Sequence, residues 1–126
     1  VYKRQHGKLT LQQRISTVEK GFAKINYAAA VRISPDRQYL YTTNRGEDTI
    51  VIYKIQKDGT LEFLERHYLP GQFPRDFNIS KDGKILGVAL EYSDCVVFYD
   101  VDNNTGTIRL RKEMVRIPSP TAIIIE

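Results

Sequence analysis

Between Thr49 and Ile55 apolar residues fill both phases of a two-residue period. Ile50 and Ile52 point one way, Val51, Tyr53 and Ile55 the other. A strand of that kind is covered on both faces. Residues 61–68 follow with Glu62, Glu65, Arg66 and His67, the pattern of a strand that faces water. Upstream, residues 28–33 open with Ala28, Ala29 and Ala30, small side chains suited to a crowded centre, and 38–43 supply one more strand. The turns Ser34-Pro35-Asp36-Arg37 and Lys57-Asp58-Gly59 separate these segments. The pattern predicts four antiparallel strands, a to d, with polarity rising from a to d. No helical stripe competes with it.

The chain then repeats itself. A shift of 46 residues lays Ile33-Ser34 on Ile79-Ser80, Asp36 on Asp82, Leu40 on Leu86 and Asp48 on Asp94. Ile50, Ile52 and Tyr53 fall on Val96, Phe98 and Tyr99, and Gly7-Lys8-Leu9 faintly echoes Gly59-Thr60-Leu61. Short strands repeated at a period in the forties are the mark of β-propeller blades. A flat sandwich would explain the alternation but not the gradient from a to d. The expected fold is therefore all-β: about two and a half propeller blades, each of four antiparallel strands. Residues 1–17, with a strand at 9–17, end one blade; 28–69 and 74–116 are two more; 121–126 are the first strand of another. That strand count does not close a ring, so the remaining blades of the same propeller are needed. The chain is expected to be the C-terminal part of a longer propeller.

Strand direction places the loops. If a runs down the axis, the b–c and d–a connections share one face of the ring. Asn44-Arg45-Gly46 is a b–c connection and Pro74-Arg75-Asp76 a d–a connection, so both arginines are expected on one face. Glu91, at the position of Arg45 in the next unit, joins them there.

Composition changes this picture little. The 126 residues, 41% hydrophobic and 27% charged, suit one globular domain. No apolar run has the length of a membrane span, and the first residues, VYKRQHGK, lack the apolar core of an export signal. Cys95 stands alone and reads as a buried, reduced thiol, which leads to a cytoplasmic protein as the expectation. The net charge of +4 is scattered; it favours a small anionic ligand and gives no reason to expect nucleic acid or a membrane. His6 is placed on the opposite face and His67 on the outer strand. The chain has no Ser-His-Asp order, no metal-ligand spacing and no phosphate-cradling glycine loop, so no metal is expected.

Several motifs together resemble a known family. They are Ser34-Pro35-Asp36, Leu40-Tyr41, Asn44-Arg45-Gly46, Asp58-Gly59-Thr60-Leu61, Gly71-Gln72-Phe73-Pro74-Arg75-Asp76-Phe77 and Ile117-Pro118-Ser119-Pro120. They resemble the seven-bladed β-propeller lactonases of the 6-phosphogluconolactonase and cycloisomerase type. One departure is Arg37, where the family usually has a turn glycine. Seven repeats would take about 322 residues, a size within the propeller range, so the resemblance implies that about two thirds of such an enzyme lies outside this chain. It also implies hydrolysis of 6-phosphogluconolactone in the pentose phosphate pathway, without a cofactor and with a phosphorylated sugar lactone as partner. Arg75 and Glu91 would then be catalytic, Glu91 activating water and an arginine meeting the oxyanion. Asn44, Arg45, Gly46, Arg75 and Asp76 would bind the substrate, because a guanidinium fork matches phosphate or carboxylate oxygens. Structural roles compete at each place: Asp76 and Arg75 as anchors between blades, Asn44 as a loop former, Glu91 as a solvated charge. Two other functions also compete, a non-catalytic propeller binding a partner on the same face and a lactonising enzyme for muconate-type acids.

Overall fold

The computed structural model describes residues 1–126 and is all-β. The strands are β1 (Tyr2–Gln5), β2 (Lys8–Leu11), β3 (Tyr27–Ile33), β4 (Tyr39–Arg45), β5 (Thr49–Ile55), β6 (Leu61–Tyr68), β7 (Pro74–Ile79), β8 (Ile85–Leu90), β9 (Cys95–Val101) and β10 (Ile108–Arg116). Glu91–Ser93 form a single 3-10 turn between β8 and β9. Strands β3 to β6 make one antiparallel sheet in chain order, β7 to β10 a second, and β1–β2 a separate hairpin. These are propeller blades.

The core lies between the two large sheets. Tyr39, Tyr41, Ile50 and Ile52 of the first meet Phe77, Leu86, Val88, Leu90, Val97 and Tyr99 of the second. Two buried tyrosines lock the sheets in register: Tyr41 Oη donates to the Gly106 carbonyl (2.8 Å) and Tyr39 Oη to that of Asn104 (2.7 Å). As the doubled apolar phase of β5 demands, Ile50, Val51, Ile52 and Tyr53 are all fully buried, whereas most of β6 and β10 is exposed or half-buried.

The repeat holds down to individual hydrogen bonds. Ser34 Oγ donates to Asp36 and accepts from the Tyr39 N–H, and Ser80 Oγ does the same with Asp82 and Ile85. The fourth turn position is left-handed in both copies, Arg37 at φ 61° and Gly83 at φ 74°. Arg37 thus takes up the glycine-like backbone that Gly83 has in the second copy.

Of the expected strands, the one at 9–17 forms only in part and the one at 121–125 does not form. Strand β2 stops at Leu11, and residues 12–17 cross the outer face of the first sheet without joining a ladder. Glutamine side chains take the place of ladder partners there: Gln13 donates to the Leu61 carbonyl and accepts from its N–H, each at 2.7 Å, and Gln12 donates to the Asp58 carbonyl. Tyr53 Oη seals the crossing by donating to the Ser16 carbonyl (2.8 Å). Residues 121–125 likewise lie over the second sheet as irregular chain. Ile123 and Ile125 pack on Gly87, while the Ile123 main chain is held by the side chains of Asp76 and Asn78.

Candidate functional site

Strand β4 ends in Asn44-Arg45 and turns through Gly46, Glu47 and Asp48 into β5. The turn is tight against the preceding chain. Gly46 has φ 116°, and a Cβ there would sit 2.2 Å from the Ile25 carbonyl oxygen, so only glycine fits. Glu47 folds inward. Its carboxylate accepts from the Glu19 N–H (2.6 Å) and the Thr49 hydroxyl (2.7 Å) and lies 3.3 Å from Arg66 Nε. Asn44 belongs to the same buried knot. It is fully enclosed, donates to the Thr17 carbonyl (2.7 Å) and accepts from the Thr17 hydroxyl (2.8 Å) and Asn26. It also donates to Glu47 Oε2 (3.3 Å) and Thr49 Oγ1 (3.2 Å), so it both ties Thr17 and Asn26 under the turn and braces the turn itself.

Asp48 links this turn to the next blade. It sits in the left-handed region (φ 55°), and its Oδ1 accepts from the N–H groups of Gly46 (3.2 Å) and Phe73 (2.8 Å). Asp94 repeats the device at φ 49°, gripping the Ser119 N–H at 2.8 Å. Phe73 itself is left-handed at φ 61°, which is unusual for a bulky aromatic residue. Its carbonyl accepts from the Glu91 N–H (3.1 Å), and the Gln72 carbonyl accepts from that of Tyr92 (3.3 Å). The loop before β7 is thereby zipped to the loop after β8.

These connections bring Arg45, Arg75 and Glu91 to one end of the two sheets. The Arg45 guanidinium lies 5.2 Å from the ring centre of Phe73 and 5.6 Å from that of Tyr27. Its one hydrogen bond is a long contact, 3.4 Å, to the Ala28 carbonyl, and its Nε is buried without a partner. Arg75, with 45% of its side chain exposed, reaches Glu91 through Nη1–Oε2 at 3.7 Å. Glu91 is only 18% exposed, and that Oε2 is buried with no hydrogen bond. Asp76, the next residue along β7, spans neighbouring segments: Oδ1 pairs with Arg32 Nη2 at 2.9 Å and Oδ2 accepts from the Ile123 N–H at 3.2 Å. The end of the sheets therefore offers the Arg75 guanidinium beside a carboxylate oxygen with a spare lone pair, and a second guanidinium, that of Arg45, with spare donors.

A family model for the seven-bladed β-propeller lactonases matches residues 1–125. The chain belongs to that family. It is 36% identical over 124 residues to an uncharacterised protein of Lactococcus lactis subsp. cremoris, covering 98% of this chain and 36% of that protein. An uncharacterised protein of Staphylococcus aureus is 41% identical over 106 residues, covering 82% and 31%. Among solved structures, the periplasmic gluconolactonase of Pseudomonas aeruginosa superposes with a TM-score of 0.90 at 28% identity, over 96% of this chain and 34% of that one. A candidate 6-phosphogluconolactonase of Bacteroides fragilis gives 0.86 at 27% identity, over 95% and 33%. The chain thus spans about a third of the length of the relatives it matches.

Within this lactonase-family chain, sequence reasoning passed over Glu47, Asp48, Tyr27, Phe73 and Tyr92. Asp48 carried a signal, since Asp94 repeats it at the 46-residue offset. Phe73 lies inside the Gly71–Phe77 motif, where nothing in the sequence singles it out. Tyr92 carried none, because the same shift puts it on Gly46.

Proposed function

We propose that the whole protein carrying this chain is a lactone hydrolase acting on a phosphorylated sugar lactone, 6-phosphogluconolactone. The observation that carries the reading is the pair formed by Arg75 and the shielded Glu91, whose Oε2 has no hydrogen-bond partner, at the loop end of a lactonase-family propeller. Glu91 accepts a proton from the attacking water as its oxygen bonds to the lactone carbonyl carbon. Arg75 donates to the oxyanion that forms. Collapse of that intermediate breaks the ring C–O bond, and the departing ring oxygen takes the proton that Glu91 holds, which leaves the open-chain acid and restores the Glu91 carboxylate. Arg45 holds the anionic substituent through the guanidinium edge that its weak contact to Ala28 leaves free. In this reading Asn44, Gly46 and Asp76 act on the substrate indirectly. The first two set the turn that presents Arg45, and Asp76 fixes the strand that presents Arg75.

Two guanidiniums at one face favour the phosphorylated lactone over its neutral counterpart. The test is hydrolysis of both lactones by the whole protein, measured above their spontaneous rates. The expected result is a higher kcat/KM for the phosphorylated compound, with Arg45→Ala raising its KM by the equivalent of about 1.5–3 kcal/mol and changing kcat little. Equal kcat/KM for the two lactones would remove the phosphate from the reading.

A further inference from the structure

The two blades agree most closely at their anchors and differ most between them. Asp48 and Asp94 make the same clamp, but the residues ahead of them are Arg45-Gly46 in one copy and Glu91-Tyr92 in the other. Glu91 has a role in the reaction proposed above. Tyr92 does not, and its environment is unusual. Its ring lies parallel to that of Phe73, with centroids 4.0 Å apart and planes 9° apart, yet the residue is 65% exposed. One face of Tyr92 is thus covered by Phe73 and the other looks to solvent. The Arg45 guanidinium lies 5.2 Å from the Phe73 ring centre and 5.6 Å from that of Tyr27, so Tyr27 and Arg45 flank the Phe73–Tyr92 stack.

That stack is built rather than incidental. Phe73 is held in a left-handed backbone by the Asp48 carboxylate and by the zip to Glu91 and Tyr92, and the Gln72 N–H donates to Ser93 Oγ at 2.8 Å. A bulky residue keeps such a conformation only where its surroundings over-determine it. Here they fix a flat aromatic surface, edged by a cation, one residue from Glu91.

We infer that Tyr92, backed by Phe73, is a specificity-determining residue: its open face is the shelf on which the substrate ring lies. The inference rests on the lactone reading above and adds the feature of the substrate that is read, the ring itself. The negatively polarised face of a phenol attracts the C–H groups that line one side of a saturated pyranose-type ring. An open-chain acid presents no such side. The shelf therefore discriminates closed rings from open chains, which favours retention of the lactone and release of the hydrolysed product.

Two unreactive probes separate the terms. Glucose 6-phosphate has a phosphate and a pyranose ring; 6-phosphogluconate has a phosphate and an open chain. Calorimetric titration of the whole protein should show Tyr92→Ala weakening glucose 6-phosphate by about five- to tenfold while leaving 6-phosphogluconate within about twofold. Tyr92→Phe keeps the ring and should match wild type for both. An exposed side chain is replaced, so unchanged melting of the variants checks that the fold is intact. Equal losses for both probes, no loss for glucose 6-phosphate, or a wild type that binds neither probe would overturn the shelf. Should the ring-selective loss appear in a protein that hydrolyses no lactone, the shelf stands and the hydrolase reading falls.

Discussion

Asp48 is the most informative residue to perturb, because one carboxylate oxygen sets both loops of the site. Asp48→Ala removes the acceptor for the Phe73 N–H at 2.8 Å and the Gly46 N–H at 3.2 Å. Hydrogen bonds to a charged partner contribute about 1.5–3 kcal/mol each where buried, and Asp48 is half-buried, so the two together contribute about 2 kcal/mol. Alanine at φ 55° adds about 1 kcal/mol of left-handed strain that aspartate tolerates better. The expected total is about 3 kcal/mol. Asp48→Asn keeps an oxygen at the same place and tolerates the same φ, so it should lose only the charge assistance, about 1 kcal/mol. Urea unfolding of the whole protein, with kcat/KM measured alongside, checks both numbers. If Asp48→Ala costs less than about 1 kcal/mol, or the asparagine variant costs as much as the alanine one, the clamp does not have the role described here.

Other outcomes follow from the same packing. Gly106 has φ 74°, and a Cβ there would stand 2.3 Å from the buried Tyr39 ring, whose hydroxyl is tied to Asn104, so Gly106→Ala should destabilise by about 2–4 kcal/mol in denaturant unfolding. Arg37→Gly should stabilise by about 0.5–1 kcal/mol in the same measurement, since it relieves the left-handed arginine at φ 61°. Burial pushes the Tyr99 phenol up to about 12 and that of Tyr41 higher still. The folded chain holds these protons more tightly than the unfolded chain, whose phenols titrate at about 10. Their stabilisation is therefore complete below about pH 10 and drains away as pH rises toward 12, which ultraviolet titration of tyrosinate alongside unfolding should show as a fall in stability over that range.

Much of this architecture is legible in the chain itself. The doubled apolar phase of β5, the charged β6 and the Ser-x-Asp turns at Ser34 and Ser80 each follow from residue type and the 46-residue repeat. Residues 12–17 and 121–125 read as strands, but Gln12 and Gln13 meet Asp58 and Leu61 through their side chains instead of their main chain, and the side chains of Asp76 and Asn78 occupy the main-chain groups of Ile123; no periodicity encodes that. At the site, strand direction was enough to bring the arginines and Glu91 to one end. The burial of Asn44 was not readable, because it depends on Thr17, which is 27 residues away. Nor was the shelf: Phe73 owes its backbone to Asp48, and Tyr92 breaks the repeat instead of following it.

With Glu91 and Arg75 as the reacting pair, the direct measurement is kcat at saturating 6-phosphogluconolactone in the whole protein. Glu91→Gln keeps the size of the side chain and removes the base, so kcat should fall by about 10²–10⁴ with KM nearly unchanged. Arg75→Ala should lower kcat by about 10²–10³, and Arg75→Lys should recover only part of it, because an ammonium lacks the guanidinium fork. Folded variants of both residues that keep wild-type kcat would contradict the account and leave Arg75 and Glu91 as an ordinary pair between blades.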